Sequence, residues 1–220
     1  VSGLTFDATL HRYTLDDVVV PSVTGILKAS GLIDFSGIPD SILEAARVRG
    51  TTVHQAIAYF NDGDLDLEQF QIDFPHYVGY VDAWLSFVAQ RNFLPVLNEH
   101  RVASRRHQVA GTLDCLGLLD GQAVLLDFAT GNPADVCKWL QTAAYEVLAR
   151  EWASDDPALA AFFAAHAFVK RYAVALRKDG TFALEAYASP GDAREFLALV
   201  TARQIVTKYR GDRVALVEVA

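Results

Sequence analysis

Hydrophobic and polar positions alternate in short runs at the start of the chain. LTFD, HRYTLDD and VVVPSVT read as strands separated by polar turns. Pro21 closes this section, Ser22 or Thr24 offers a cap for a short helix through Leu27, and Gly31 ends it. From about Asp40 to Phe60 the apolar spacing becomes helical, with an interruption expected at Gly50. The polar stretch NDGDLD breaks that helix. A second amphipathic helix is expected from His76 to Gln90, with Val78, Val81, Trp84, Leu85 and Val88 on one side.

Strand patterning then returns in VLNEHRVAS, VAGTLDCLGLL and AVLLDFA, the last two joined by Asp120-Gly121, a strong hairpin signal. After Gly131 a long helix (about Ala134 to Glu151) leads into an alanine-rich one around Pro157 to Ala165. A hairpin turning at Asp179-Gly180 follows, then a final helix from about Pro190 to Tyr209. No repeat and no long linker divides the chain. The expectation is one mixed α/β domain over residues 1–220, with a central sheet flanked by helices. Residues 1–35 would be N-terminal strands and a short helix, 40–190 the core, and 190–220 the C-terminal helix and tail.

Composition narrows the function classes. A chain of 220 residues, 52% hydrophobic and 21% charged, has an ordinary globular balance and can bury a sizeable core. No apolar run reaches the roughly 18–20 residues that span a bilayer, and the chain opens with no signal-like segment. The expected setting is cytoplasmic, with no membrane partner. A net charge of −8 argues against a protein that coats nucleic acid, but not against an enzyme gripping DNA in one local basic cleft. Cys115 and Cys137 are too few and too far apart for a zinc ribbon or an iron–sulfur cluster, and fit small core positions. No GxxxxGK[ST] loop is present, so no nucleotide cofactor is expected.

The Asp120-Gly121 turn sets a register with a chemical consequence. A two-residue loop pairs Leu119 with Gln122 and, carried along the strands, Asp114 with Asp127. Their β-carbons would then stand about 4.5–5.5 Å apart on one face. Two carboxylates that close repel unless one is protonated or a cation lies between them, and a hard ion such as Mg²⁺ would relieve the clash. By alternation Asp127 and Ala129 share a face, with Ala129 opposite Thr112, while Phe128 points into the core. Glu99, on the preceding strand, can bring a third carboxylate to the same edge.

These residues fall in a familiar order: Glu99, GTLD ending at Asp114, LLDFATG containing Asp127, and LQTAAY with Gln141 and Tyr145. The pattern resembles the PD-(D/E)XK nuclease superfamily, most closely its RecB-like and phage-exonuclease branch. RGTTVH, with Arg49, Gly50 and His54, is similar to that branch's upstream helix, and HRYTLDD…VPSVTGIL to the start of phage members. The resemblance implies a restriction-endonuclease-like core and a DNA nuclease using one or two Mg²⁺ (or Mn²⁺). It further implies an exonuclease of phage or prophage recombination or DNA end processing, in a bacterial or phage-infected cell. Linear duplex or single-stranded ends would be its substrate, and a homo-oligomer or a recombination partner would be compatible with it. His54, Glu99, Asp114, Asp127 and the Phe128 carbonyl would hold metal. Gln141 and Tyr145, four apart on one helical face, would orient the DNA backbone or the active-site strand. Arg49, Thr130, Gly131 and Gln141 would contact DNA. On the residues alone, Arg49 equally reads as a solvated helix charge, His54 as a satisfied core histidine, and Tyr145 as core packing.

One position departs from the family. Its D-x-K lysine falls on Ala129, and losing such a group costs about 10²–10⁴-fold in rate. Three accounts compete: a deliberately inactivating replacement, a natural pseudonuclease that binds DNA or a partner without cutting, and a lysine supplied from elsewhere. The surrounding motifs are intact, which favours the first. For the third the nearest candidate is Lys138, three residues before Gln141, although a solvated helix lysine is the simpler reading of it.

Overall fold

The computed structural model describes residues 3–132 and 137–217, with side chains through residue 209. Three short strands, β1 (Leu4–Asp7), β2 (Arg12–Leu15) and β3 (Val18–Val20), form an antiparallel sheet in that order. Ser22 caps the following helix α1 (Val23–Ala29) by accepting the Gly25 N–H at 2.9 Å. Gly31, two residues past its end, is left-handed (φ 77°). The small sheet is tied to the rest through the Tyr13–Thr112 hydroxyl pair (2.8 Å) and the Ala110 N–H on the Pro21 carbonyl (3.1 Å).

Helix α2 (Asp40–Asp62) runs for 23 residues and ends at left-handed Gly63. The interruption expected at Gly50 is absent. A glycine costs a helix about 1 kcal/mol, which the burial of Val53, Ala56 and Ile57 outweighs. A short helix not anticipated, α3 (Leu67–Asp73), starts where the Asp66 carboxylate accepts the Gln69 N–H. Helix α4 (Val78–Gln90) follows.

The central sheet has the order β4 (Phe93–Ser104), β5 (Val109–Leu119), β6 (Gln122–Ala129), β7 (Lys170–Leu176) and β8 (Phe182–Tyr187). It is mixed: β7 lies parallel to β6, and the other pairs are antiparallel. The crossover between the parallel strands carries α5 (Lys138–Trp152) and α6 (Pro157–Ala165). The start expected for α5, at Ala134, lies outside the described residues. Helix α7 (Asp192–Val217) extends past the expected end at Tyr209.

Alternation along β6 splits the core in two. Ala123 and Leu125 join a cluster with α1, α5, α6 and α7, whereas Val124, Leu126 and Phe128 join one with α2 and α4. The chain is therefore α/β, with a mixed five-stranded sheet between helical layers. Both cysteines are buried as expected. Among the described residues no helix is long and apolar enough to cross a membrane.

Candidate metal centre and active site

The β5–β6 hairpin keeps the expected register from Leu119–Gln122 to Cys115–Leu126, with Asp120 and Gly121 both at positive φ. The ladder ends there. Asp114 and Asp127, the pair that the register extrapolates to, are consequently not part of the hydrogen-bonded ladder. Two backbone events explain the break. Leu113 packs with the α5 cluster and Cys115 with the α4 cluster, although residues two apart on a regular strand share a face. On β4, Glu99 lies between the pairs Asn98–Cys115 and His100–Leu113, so that it faces Asp114, and its backbone is left-handed (φ 43°). Pleating fails at that one step, and β5 parts from β6.

The carboxylates gather in the fork so formed. Asp114 sends one oxygen to the Phe128 N–H (2.6 Å), a group the β5–β6 ladder would otherwise have used. Its other oxygen lies 3.5 Å from His54 Nδ1, and a Glu99 oxygen lies 3.5 Å from the same nitrogen. Ligand atoms of His54, Glu99 and Asp114 all fall within 4.8 Å of one another. The His54 ring also meets Phe128 edge-on at 5.4 Å, and Phe128 in turn packs on Trp84. Three of the five expected ligands are thereby brought together, from α2, β4 and β5.

Asp127 stands apart from that trio. Fully buried, it pairs with the Lys138 ammonium from the first turn of α5, and neither oxygen has another hydrogen-bond donor among the described residues. Lys138 is only 8% exposed, which overturns its reading as a solvated helix residue. Ala129 is buried beside β7, opposite Ala175, and lines the same cavity as Lys138. Lys138 thus brings an ammonium to the cavity that Ala129 lines. Spacing hinted at it, since Lys138 sits three before Gln141 on the helix.

Electrostatics follow from this crowding. Burial alone would lower the His54 pKa, but Asp114 and Glu99 reverse it and push it up to about 10. Burial raises Asp114 too, yet the His54 charge, Lys138 and the Phe128 N–H prevail and hold it low. Burial, reinforced by the Asp114 charge, raises Glu99. Asp127 is pushed up to about 7 by burial and by Asp114, against the pull of Lys138. Without metal, the His54 imidazolium is the counter-ion of the fork.

The remaining expected residues separate by role. Gln141 donates to the Tyr145 hydroxyl at 3.3 Å; both are buried, and Tyr145 packs against Gly111, where a β-carbon would come within 2.7 Å of its ring. Gln141 and Tyr145 therefore brace α5 on β5, and Tyr145 alone reaches a cavity wall. Arg49 donates to the Thr130 hydroxyl (3.2 Å) with its guanidinium over Tyr80, so it is not a freely solvated charge. Arg49, Thr130 and Gly131 line a cavity of about 750 Å³ with His54, Phe128 and Lys138.

One imidazole and two carboxylates could hold a divalent ion and would leave positions open for water and substrate. No protein-family model matches the chain, and no curated protein matches it.

Proposed function

We propose that the protein is a metal-dependent deoxyribonuclease whose site is the fork between β5 and β6, with Lys138 serving in place of a lysine at position 129. The observation that carries this reading is the juxtaposition of His54, Glu99 and Asp114, with His54 opening onto the same cavity as the buried Lys138. A left-handed Glu99 facing Asp114 adds support, because strain and like-charge opposition persist in folds chiefly where a site uses them.

In this reading His54, Glu99 and Asp114 hold Mg²⁺ or Mn²⁺. Such an ion, when bound, would polarise the phosphodiester and lower the pKa of a water. Asp127 holds the Lys138 ammonium at the cavity wall, where it offsets charge gathering on the phosphate and orients the attacking water. Arg49, fixed by Thr130 and Tyr80, adds a second cation along the same wall for the DNA backbone. Gln141 and Tyr145 keep α5, and with it Lys138, in register with β5. Action at DNA ends follows the family resemblance. A DNA-binding module without catalysis is the second reading, and Ala129 is the observation that favours it.

Titration with Mn²⁺ followed by electron paramagnetic resonance, with cleavage of linear DNA in parallel, tests the proposal. Binding that is lost in Asp114→Asn, together with metal-dependent cleavage, is expected. A protein that binds no Mn²⁺ at this trio is not a nuclease of this kind.

A further inference from the structure

On the far side of His54 lies a second cavity, of about 590 Å³, between the N-terminal sheet and α2. His54 and Arg47 line both cavities, so the two meet at His54, and Glu99 borders the second. Its walls carry aromatic rings in an unusual concentration. Phe6 lies 4.6 Å from Tyr13 and 5.3 Å from His11, centroid to centroid, with the Arg101 guanidinium 5.5 Å over its ring. From α2 comes Tyr59, 47% exposed, whose hydroxyl accepts a hydrogen bond from Gln55 at 3.0 Å. Hydroxyls of Ser22, Thr24 and Thr51 complete a lining rich in hydrogen-bonding groups.

Core packing does not explain an exposed Tyr59 or the exposed His11. Flat rings around a polar-walled cavity suit a planar, hydrogen-bonding guest. The volume lies within the range of small-ligand pockets, about 300–1,000 Å³, and is large enough for one nucleotide. Because the cavity adjoins the trio, a base seated in it would leave its neighbouring phosphate near His54 and Glu99.

We infer that this cavity receives an unpaired nucleotide of a DNA strand, making the fork a site for single strands. The chemistry of that site rests on the nuclease reading; the binding does not. Base stacking on an aromatic side chain tolerates any sequence and is lost when the ring is removed.

Fluorescence anisotropy of a labelled oligothymidylate in EDTA, where nothing is cut, measures the binding alone. The single strand should bind more tightly than a blunt duplex of equal length. Tyr59→Ala, on an exposed helix face, should weaken it about tenfold, while Tyr59→Trp should retain it. Duplex binding as tight as the single strand, or indifference to Tyr59→Ala, overturns the inference. Thymidine monophosphate competing as well as the oligonucleotide would also overturn it, because the guest would then be a free nucleotide. The two proposals fail separately: ring-dependent binding without metal-dependent cleavage sinks only the nuclease reading, and cleavage with binding indifferent to Tyr59 sinks only this one.

Discussion

The two ends of the β5–β6 hairpin follow opposite rules. At the Asp120-Gly121 end the ladder is regular, Leu119, Val124 and Leu126 are buried under α4, and every strand position points where alternation sends it. At the other end the ladder stops, alternation fails at Asp114, Glu99 turns left-handed, and two aspartates and a lysine are buried next to His54 and Glu99. The first end maximises stability. The second holds charge and strain that apolar packing would have avoided, which is the usual mark of a site kept for chemistry.

Substitutions should separate the ends. The largest effect is expected from Lys138→Ala at the fork, a loss of about 10²–10⁴-fold in cleavage rate, with Mn²⁺ binding at the trio retained. Loss of metal binding along with activity would make Lys138 structural. At the regular end, Leu126→Ala should cost about 2–5 kcal/mol in chemical denaturation, while the protein that stays folded binds Mn²⁺ normally.

Glu99→Gly sharpens the contrast, since stability and function should move apart. Relief of the left-handed backbone should leave stability unchanged or raise it by up to about 1 kcal/mol, while Mn²⁺ affinity falls. A clear loss of stability would assign Glu99 to the fold instead. The smallest effect concerns a carboxylate outside the trio. Asp156 caps α6, accepting the Ala158 and Leu159 N–H groups and pairing with His100. Burial would raise its pKa, but these bonds outweigh it and hold it below the ordinary 3.8. Its stabilisation is therefore present above about pH 4 and is lost as pH falls through the depressed value. Asp156→Ala should cost about 1 kcal/mol near neutrality, and the gap from the parent protein should close in acid.

The regular end was legible in the sequence because its rules are local. An Asp-Gly pair fixes a turn, and a turn fixes a register. The ladder stops short of Asp114 and Asp127 at a break beside Glu99, on a third strand, which no short-range signal marks. His54, Glu99 and Asp114 do come together, as the order of motifs implies. The burial of Lys138 is hidden from the sequence for a related reason: its depth depends on how the start of α5 meets β6, not on helical periodicity. Gly50 and Leu67–Asp73 erred in the opposite sense. Packing carried α2 through a weak residue, and a capping aspartate at position 66 nucleated a helix too short to show a period.

The most direct measurement compares Mn²⁺-dependent cleavage of linear and circular DNA by the protein as it stands, by Lys138→Ala and by Ala129→Lys. Cleavage by the unaltered chain that Lys138→Ala abolishes is the expected result, and sparing of circles would add that the enzyme works from ends. Cleavage gained only in Ala129→Lys would contradict the role given to Lys138 and mark Ala129 as an inactivating replacement.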